Sequence, residues 1–356
     1  MKGLILAGGH GTRLRPLTYT GNKHMLPIAN QPILFYGLRH LAQAGIKEVA
    51  IILGPINEGI REGVGDGRAF GLHIEYITQG HPKGLAHAVL CAQEFLGDDP
   101  FLMYLGDNLL QTGVEPFVNL YQSTPTDAVL GATPVPDPRT FGVVEMAGDK
   151  ILSIEEKPVL PKSNLALIGV YLFGPAIHPI IRGLTPSRRG ELEITDAIWQ
   201  LWKKTGRVSV LRLDGWWKDT GQPSDLLDAN SLVLNSMPAA SFAVEGMIEG
   251  GAIVEGPVSV GRGSLVDSDS TIIGPVILGA GVRVTGRSTI GPGCSVGDRA
   301  FVSRSTITRS IIMEGARLDG VHVRESLIGR NAEVVCGAGR GNELRLILGD
   351  SSRVIL

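Results

Sequence analysis

Two different rhythms of hydrophobic positions divide the chain. From Met1 to about Met237, short apolar runs alternate with stretches of helical periodicity. Residues 2–6, 49–53, 73–77 and 101–105 read as strands, and residues 33–44 and 85–95 as helices. This alternation predicts an α/β domain with a mixed, mainly parallel sheet flanked by helices. Ligands of such sheets bind beyond the carboxyl ends of the strands, so the loops after Leu6, Ile77 and Leu105 are the ones to inspect.

The second rhythm has a period of six. Ile248, Val254, Val260, Val266, Ile272, Leu278, Val284, Ile290, Val296 and Val302 follow one another at six-residue intervals without a miss. Four residues after each stands a small or β-branched residue, from Ala252 and Val258 to Ala300 and Thr306. Neither a helix nor a hairpin sheet has that period. It marks a parallel β-helix whose triangular coils stack inward aliphatics on the coil below. After Thr306 the rhythm slips, with Leu318, Val323, Ile328 and Val334 only roughly in phase, and residues 344–356 are expected to cap or pack against the coil. Both patterns stop near 235–245, which predicts a linker there between domains at 1–237 and 246–356.

Composition narrows the class without naming it. A chain of 356 residues has room for two cores. With 43% apolar and 19% charged residues it is a globular protein rather than a disordered one. The formal charge of −2 gives no reason to expect nucleic acid as a partner, so an anionic substrate must meet a local cluster of cations. Cys91, Cys294 and Cys336 show no metal-ligand spacing and read as reduced thiols of a cytoplasmic protein. The first apolar run is too short for a signal peptide, and no stretch is long enough to cross a bilayer, so no membrane role is expected.

The candidate chemistry begins after the first strand, in Leu6-Ala-Gly-Gly-His-Gly-Thr-Arg-Leu-Arg-Pro16. Gly8, Gly9 and Gly11 let backbone N–H groups approach phosphate oxygens without interference from side chains. The segment is neither a P-loop nor a GxGxxG turn, and a bare glycine-rich turn is as often structural as functional. Arg13 and Lys23 shift the balance, because phosphoryl chemistry needs cations where negative charge gathers.

Here the chain resembles a known family, the sugar-nucleotide pyrophosphorylases. The resemblance rests on LAGGxGTRLxP at 6–16, Lys23-His-Met-Leu-Pro27, Gln79-Gly-His-Pro-Lys-Gly-Leu-Ala86 and Leu105-Gly-Asp-Asn108. It continues through Phe141-Gly142, Glu155-Glu-Lys-Pro158, Arg189-Gly-Glu-Leu-Glu-Ile-Thr-Asp196 and Trp217-Lys-Asp-Thr-Gly221. Within the family the chain is most similar to the long-form glucose-1-phosphate thymidylyltransferases, which carry a left-handed hexapeptide-repeat β-helix. His10 stands where Ser is common in short forms, and His24 where Gln is common.

The resemblance implies a Rossmann-like nucleotidyltransferase domain that makes dTDP-glucose from dTTP and glucose 1-phosphate with the help of Mg²⁺. It implies that Arg13, Lys23 and Lys157 are catalytic, compensating charge on the phosphoryl groups. Leu6, Gly8, Gly9, Gly11, Thr12, Gln79, Gly84, Leu85 and Asp107 would hold the nucleotide. Gly142, Glu156, Lys157, Leu167, Gly169, Tyr171, Arg189 and Trp217 would hold the sugar phosphate, and Asp107 and Asp219 the metal. These roles make physical sense: two polyanions must meet, and at an effective dielectric near 20 each opposite charge about 4 Å away contributes roughly 4 kcal/mol. Hard carboxylates suit Mg²⁺, which takes one or two of them plus phosphates and water.

Two alternatives stay open. UTP differs from dTTP by one methyl, worth about 1–3 kcal/mol in a pocket. The tail, with His322 as a base, would make the protein bifunctional if it were an acyltransferase. The simpler expectation makes the tail an assembly module of a homo-oligomer, and removal of everything beyond about residue 235 is then expected to change assembly more than chemistry.

Overall fold

The computed structural model describes residues 1–55, 57, 59–337 and 342–356. Its contacts divide into two compact units, one of residues 1–10 and 34–219, the other of 11–33 and 220–356. The sequence pattern instead assigns 11–33 and 220–237 to the first half. One division follows compactness, the other periodicity.

The first unit is built on a nine-stranded sheet. Its strands are β1 (Lys2–Ala7), β2 (Glu48–Leu53), β3 (His73–Thr78), β4 (Phe101–Leu105), β5 (Ala128–Pro134), β6 (Gly142–Ala147), β7 (Lys150–Glu156), β8 (Leu165–Phe173) and β9 (Val208–Arg212). The order runs β7-β6-β8-β4-β1-β2-β3, with β5 joined to β8 and β9 to β5. Strands β4, β1, β2 and β3 are mutually parallel, as the alternating pattern predicts. In contrast, β8 pairs antiparallel with β4, β5 and β6, and β6 with β7, so the far half of the sheet is mixed. Strands β1 and β2 are buried along nearly their whole length, which explains why they read as unbroken apolar runs rather than as alternation. The expected helix at 85–95 is two pieces, Leu85–Cys91 and Gln93–Leu96. Ala92 sits between them at φ −90° and ψ 3°, its N–H shared between the carbonyls of Ala88 and Val89.

The second unit contains a helix, Pro223–Ser236, and a three-sided left-handed parallel β-helix. The faces are parallel sheets of seven, five and six strands. Val260, Val266, Ile272, Leu278, Val284, Ile290, Val296 and Val302 are all buried in its axis. Val254, on the first coil, stays 38% exposed because no coil covers it.

The slip in rhythm after Thr306 has a structural cause. Early coils hold eighteen residues, since Val258 pairs with Val276 and Val276 with Cys294. Later coils hold sixteen, since Phe301 pairs with Arg317 and Ile311 with Leu327. In the wider coils a corner takes two residues, such as Gly286-Arg287 between Thr285 and the buried Ser288. In the tighter ones a single residue in the left-handed region makes the corner: Arg304 (φ 50°), Arg309 (φ 44°), Gly320 (φ 73°) and Glu325 (φ 46°). The aliphatics keep their places at the axis, with Ile307, Ile312, Leu318, Val323, Ile328 and Val334 buried. Residues 344–356 extend the stack with strands Ile347–Leu348 and Arg353–Ile355.

Candidate functional site

In the first unit the carboxyl ends of the parallel strands come together at glycines. A Cβ on Gly54, just after β2, would lie 2.2 Å from the Gly8 carbonyl oxygen, so the turns after β1 and β2 touch through bare backbone. A Cβ on Gly8 would lie 3.2 Å from Gln79 Oε1. Gln79, directly after β3, donates through Nε2 to the Gly84 carbonyl (3.2 Å) and meets His87 Nδ1 at 3.1 Å. Leu6 is 7% exposed, and its carbonyl accepts the Gly106 N–H, which sets the turn that presents Asp107 after β4. Gly9 lies exposed in the turn between Gly8 and His10.

The loop around Gly84 and Leu85 interlocks with the segment at 189–196. Gly84 has φ 99° and ψ 171°, a region closed to other residues. A Cβ there would lie 2.5 Å from the Leu192 carbonyl oxygen. Leu192 N–H donates to the Lys83 carbonyl (2.7 Å), and Ala86 N–H donates to that of Leu192 (3.1 Å). Leu85 then opens its helix.

The same segment carries a cluster of charge. Arg189 meets Glu191 (2.6 Å), Glu193 (3.2 Å) and Glu156 (3.7 Å). Lys157 Nζ is also 3.7 Å from Glu156, and Thr195 Oγ1 donates to Glu156 at 3.2 Å. Burial pushes the Glu156 carboxyl above its ordinary range; Lys157 and Arg189 pull it back only in part, and Glu193 adds to the rise. Lys157 stands in the left-handed region at φ 43°, directly before Pro158, with its N–H donated to the Phe141 carbonyl. A non-glycine residue held there costs of order 1–3 kcal/mol, and such strain clusters at working sites. A Cβ on Gly142 would lie 2.7 Å from Thr195 Cγ2, 3.2 Å from Leu167 and 3.3 Å from Glu156. Gly169, at φ 73°, marks a register shift in β8 between Leu167 and Tyr171, packed against Leu105. Leu167 and Tyr171 are each 3% exposed; burial raises the Tyr171 hydroxyl, and the nearby Glu156 adds to it.

The two candidate metal carboxylates lie near one another along the chain pairing. Asn108–Leu110 pairs antiparallel with Trp217–Asp219, and the register sets Asp219 opposite Asn108, next to Asp107. Asn108 is buried; its Nδ2 donates to Asp107 (3.1 Å), and its Oδ1 accepts from Trp217 Nε1 (2.5 Å). The Trp217 ring stands edge-on to Phe141 at 5.3 Å. A series of contacts and chain neighbours thus runs from Gly8 through Gln79, Gly84, Leu192, Arg189, Glu156, Gly142 and Trp217 to Asp107. Asn108, Thr195, Glu193 and Phe141 are its connecting residues, and all four lie in the quoted motifs without an assigned role.

The second unit holds the remaining candidates. Gly11, at φ 63°, is fastened by Thr18, whose hydroxyl donates to its carbonyl (2.8 Å). Thr12 and Arg13 form one 3-10 turn, and Lys23 opens another. The Arg13 guanidinium lies over Gly221, 3.1 Å from where a Cβ would stand. Lys23 Cβ lies 3.1 Å from the corresponding point on Gly11. His24 is buried, with its ring on Asn22 Oδ1 at 2.6 Å, whereas His10 is exposed.

A glycine-rich turn at the end of the first strand of a Rossmann-like sheet, with acidic and basic side chains gathered in the loops beyond, fits a nucleotidyl transferase. The chain belongs to that family, whose model matches residues 2–236. A glucose-1-phosphate thymidylyltransferase of Streptomyces griseus is 45% identical over 355 residues, 99% of each chain. A low-salt glycan biosynthesis nucleotidyltransferase of Haloferax volcanii is 40% identical over 364 residues, all of both chains. Among solved structures, a putative glucose-1-phosphate thymidylyltransferase from Bacillus anthracis, in complex with a sucrose, matches at a TM-score of 0.62. It shares 38% identity and covers 65% of this chain and 94% of its own. Among the described residues no helix is long and apolar enough to cross a membrane.

Proposed function

We propose that this protein joins dTTP to glucose 1-phosphate, giving dTDP-glucose and pyrophosphate. Full-length likeness to the Streptomyces griseus enzyme carries this reading. A phosphate oxygen of the sugar attacks the α-phosphorus in line. The bond from that phosphorus to the bridging oxygen breaks, and its electron pair leaves with pyrophosphate. No covalent enzyme intermediate is needed, so the work of the chain is positioning and charge compensation.

Gly8, Gly9, Gly11 and Thr12 offer backbone donors to the triphosphate, with Leu6 and Asp107 at the strand ends below. Gln79, with its donor and acceptor, reads the pyrimidine edge beside Gly84 and Leu85. Arg13 and Lys23 neutralise charge on the α-phosphoryl and the leaving group. Lys157 holds the sugar phosphate, and Glu156, Gly142, Gly169, Arg189, Leu167, Tyr171 and Trp217 form the sugar subsite.

Asp107 and Asp219 fit a magnesium ion: they supply only hard oxygen ligands, and Asp219 pairs with Asn108, the chain neighbour of Asp107. When bound, the ion draws charge from the triphosphate oxygens. Residues 1–237 serve this reaction, and 246–356 also assemble copies of the chain into a homo-oligomer in the cytoplasm.

The test is pyrophosphate release with glucose 1-phosphate and Mg²⁺, comparing dTTP with UTP, CTP, GTP and ATP. A clear dTTP preference is expected. Release with UTP alone would transfer the assignment to the sister uridylyl reaction, and no release with any of the five would overturn it.

A further inference from the structure

The segment that carries Arg13 and Lys23 is fastened to the β-helix. Two groups of contacts hold it, one at residues 293–296 and the helix residue Asn230 packed on them, the other just after residues 327–328 and 347–348, two and three coils further along the six-stranded face. At its carboxyl end, Ala29 N–H donates to Asn230 Oδ1 (2.8 Å), and Asn30 Nδ2 donates to the Val296 carbonyl (2.7 Å). Asn230 is 1% exposed, and the coil completes its hydrogen bonding. Ser295 Oγ donates to the same oxygen at 2.8 Å, and Asn230 Nδ2 donates to the Gly293 carbonyl at 3.3 Å. Ala29 and Asn30 take left-handed φ values of 47° and 60°, a conformation that persists where surrounding structure over-determines it.

The second group lies nearer the catalytic candidates. Thr20 Oγ1 donates to Asp350 Oδ2 at 2.8 Å. Asp350 Oδ1 accepts the Arg330 N–H at 2.8 Å, and Arg330 Nη2 reaches the Met25 carbonyl at 3.4 Å. Gly349 leaves room for Pro16, whose carbonyl oxygen would be 3.0 Å from a Cβ there. Lys23 lies between Thr20 and Met25, and Arg13 three residues before Pro16. The coil thus grips the chain on both sides of Lys23.

We propose that the β-helix is a positioning scaffold for the 11–33 segment, with Asn230 and the Arg330–Asp350 pair fixing the presentation of Arg13 and Lys23 to the triphosphate. The tail then acts in catalysis through these two cations, a role beyond assembly. On this proposal, removal of the tail impairs chemistry as well as assembly. This inference rests on the reading that Arg13 and Lys23 act on the nucleotide phosphates.

The test uses full-length Asp350→Ala and Asn230→Ala proteins, each checked for fold by circular dichroism and for oligomeric state by light scattering. Steady-state constants are measured for both substrates. Misplacing a positioned group by about 1 Å costs up to about 100-fold, so a fall in kcat of about 10-fold is expected. The KM for dTTP should rise by a similar factor while that for glucose 1-phosphate, held by Lys157 and Arg189, stays within about two-fold. A merely structural role lowers the active fraction and moves neither KM. Thr20→Val combined with Asp350→Ala should cost less than the two single effects added, because both break one hydrogen bond.

Asp350→Ala with wild-type kcat and dTTP KM overturns the proposal, even should Asn230→Ala fail to fold. Arg13→Ala and Lys23→Ala separate the two levels. Loss of turnover in these alongside an unaffected Asp350→Ala defeats the scaffold alone; full turnover in them defeats the roles on which it rests.

Discussion

Replacing Gly84 with alanine tests whether the interlock of its loop with residues 189–196 holds the site together. Two costs follow from the structure. Gly84 lies at φ 99°, ψ 171°, and holding an L-residue there costs about 1–3 kcal/mol. The new Cβ would also stand 2.5 Å from the carbonyl oxygen of Leu192 and 2.8 Å from its nitrogen. These are backbone atoms, so no side chain can swing aside. The segments must separate, putting at risk the bonds of Leu192 N–H to Lys83 and of Ala86 N–H to Leu192, each worth about 0.5–1.5 kcal/mol. Together the loss is about 2–6 kcal/mol. Gly80 supplies the control in the same loop. It too has a positive φ, 63°, but a Cβ there meets nothing within 4 Å, so Gly80→Ala should cost only about 1–2 kcal/mol. Thermal unfolding of both variants measures the difference, and KM values for dTTP and glucose 1-phosphate report on the two segments. Gly84→Ala should raise both KM values, because the interlock joins the loop of Gln79 to that of Arg189. Equal stability of the two variants, or Gly84→Ala with unchanged KM values, would refute the argument.

Other substitutions probe the charges. Asp107→Asn and Asp219→Asn should each lower turnover at least about 100-fold and raise the magnesium needed for half-maximal rate, with circular dichroism unchanged. Wild-type magnesium dependence in either would remove that carboxylate from the metal site. Arg13→Ala should nearly abolish pyrophosphate release while leaving the melting temperature within a few degrees. For Glu156, whose folded-state pKa is raised by burial, stability from this group is fully present below the ordinary 4.5 and is lost as pH rises through the raised value. The melting temperature of Glu156→Gln should therefore gain on that of the wild type as pH climbs through this window, and a constant difference would contradict the shift. In the coil, Ile290→Ala opens a cavity in a fully buried stack and should cost about 2–5 kcal/mol by denaturant titration.

How much the sequence discloses depends on whether a constraint is periodic or singular. The axis of the β-helix imposes one demand on every coil, an aliphatic side chain at each face. The six-residue ladder from Ile248 to Val302 therefore reads directly as structure. Beyond Val302 that demand is unchanged, and only the corners shorten. A period count loses phase there, although Ile307, Ile312 and Leu318 are as buried as Val284. Three of the four tight corners carry arginine or glutamate at positive φ where glycine would signal a turn. Arg304 bonds to Asp319 on the next coil and Arg309 pairs with Glu325, contacts available only once the coils are stacked. A mixed sheet is expected from the sequence, but the individual strands of its antiparallel half go unread for a related reason. A helix between two strands announces a parallel crossover, whereas direct strand-to-strand connections such as that from β6 to β7 leave no comparable mark.

The candidate site divides along the same line. Its motifs stand out because glycines, cations and carboxylates occur together in a known order, yet their order does not say what holds them. Asn108 shows the difference. In sequence it is a neighbour of Asp107, while in the fold it bonds to both Asp107 and Trp217 and so ties two distant motifs. Arg189 shows it again. A cation beside a sugar phosphate is expected to be open to an anion, but three carboxylates already surround it. In the proposed role, an arriving phosphate must compete with Glu191 and Glu193 for that guanidinium. The largest departure from the sequence pattern concerns residues 11–33, which belong to the first half by motif and to the β-helix by contact. No local signal marks that transfer, because its anchors, Asn230, Arg330 and Asp350, lie about two to three hundred residues away and are ordinary polar residues until the chain is folded.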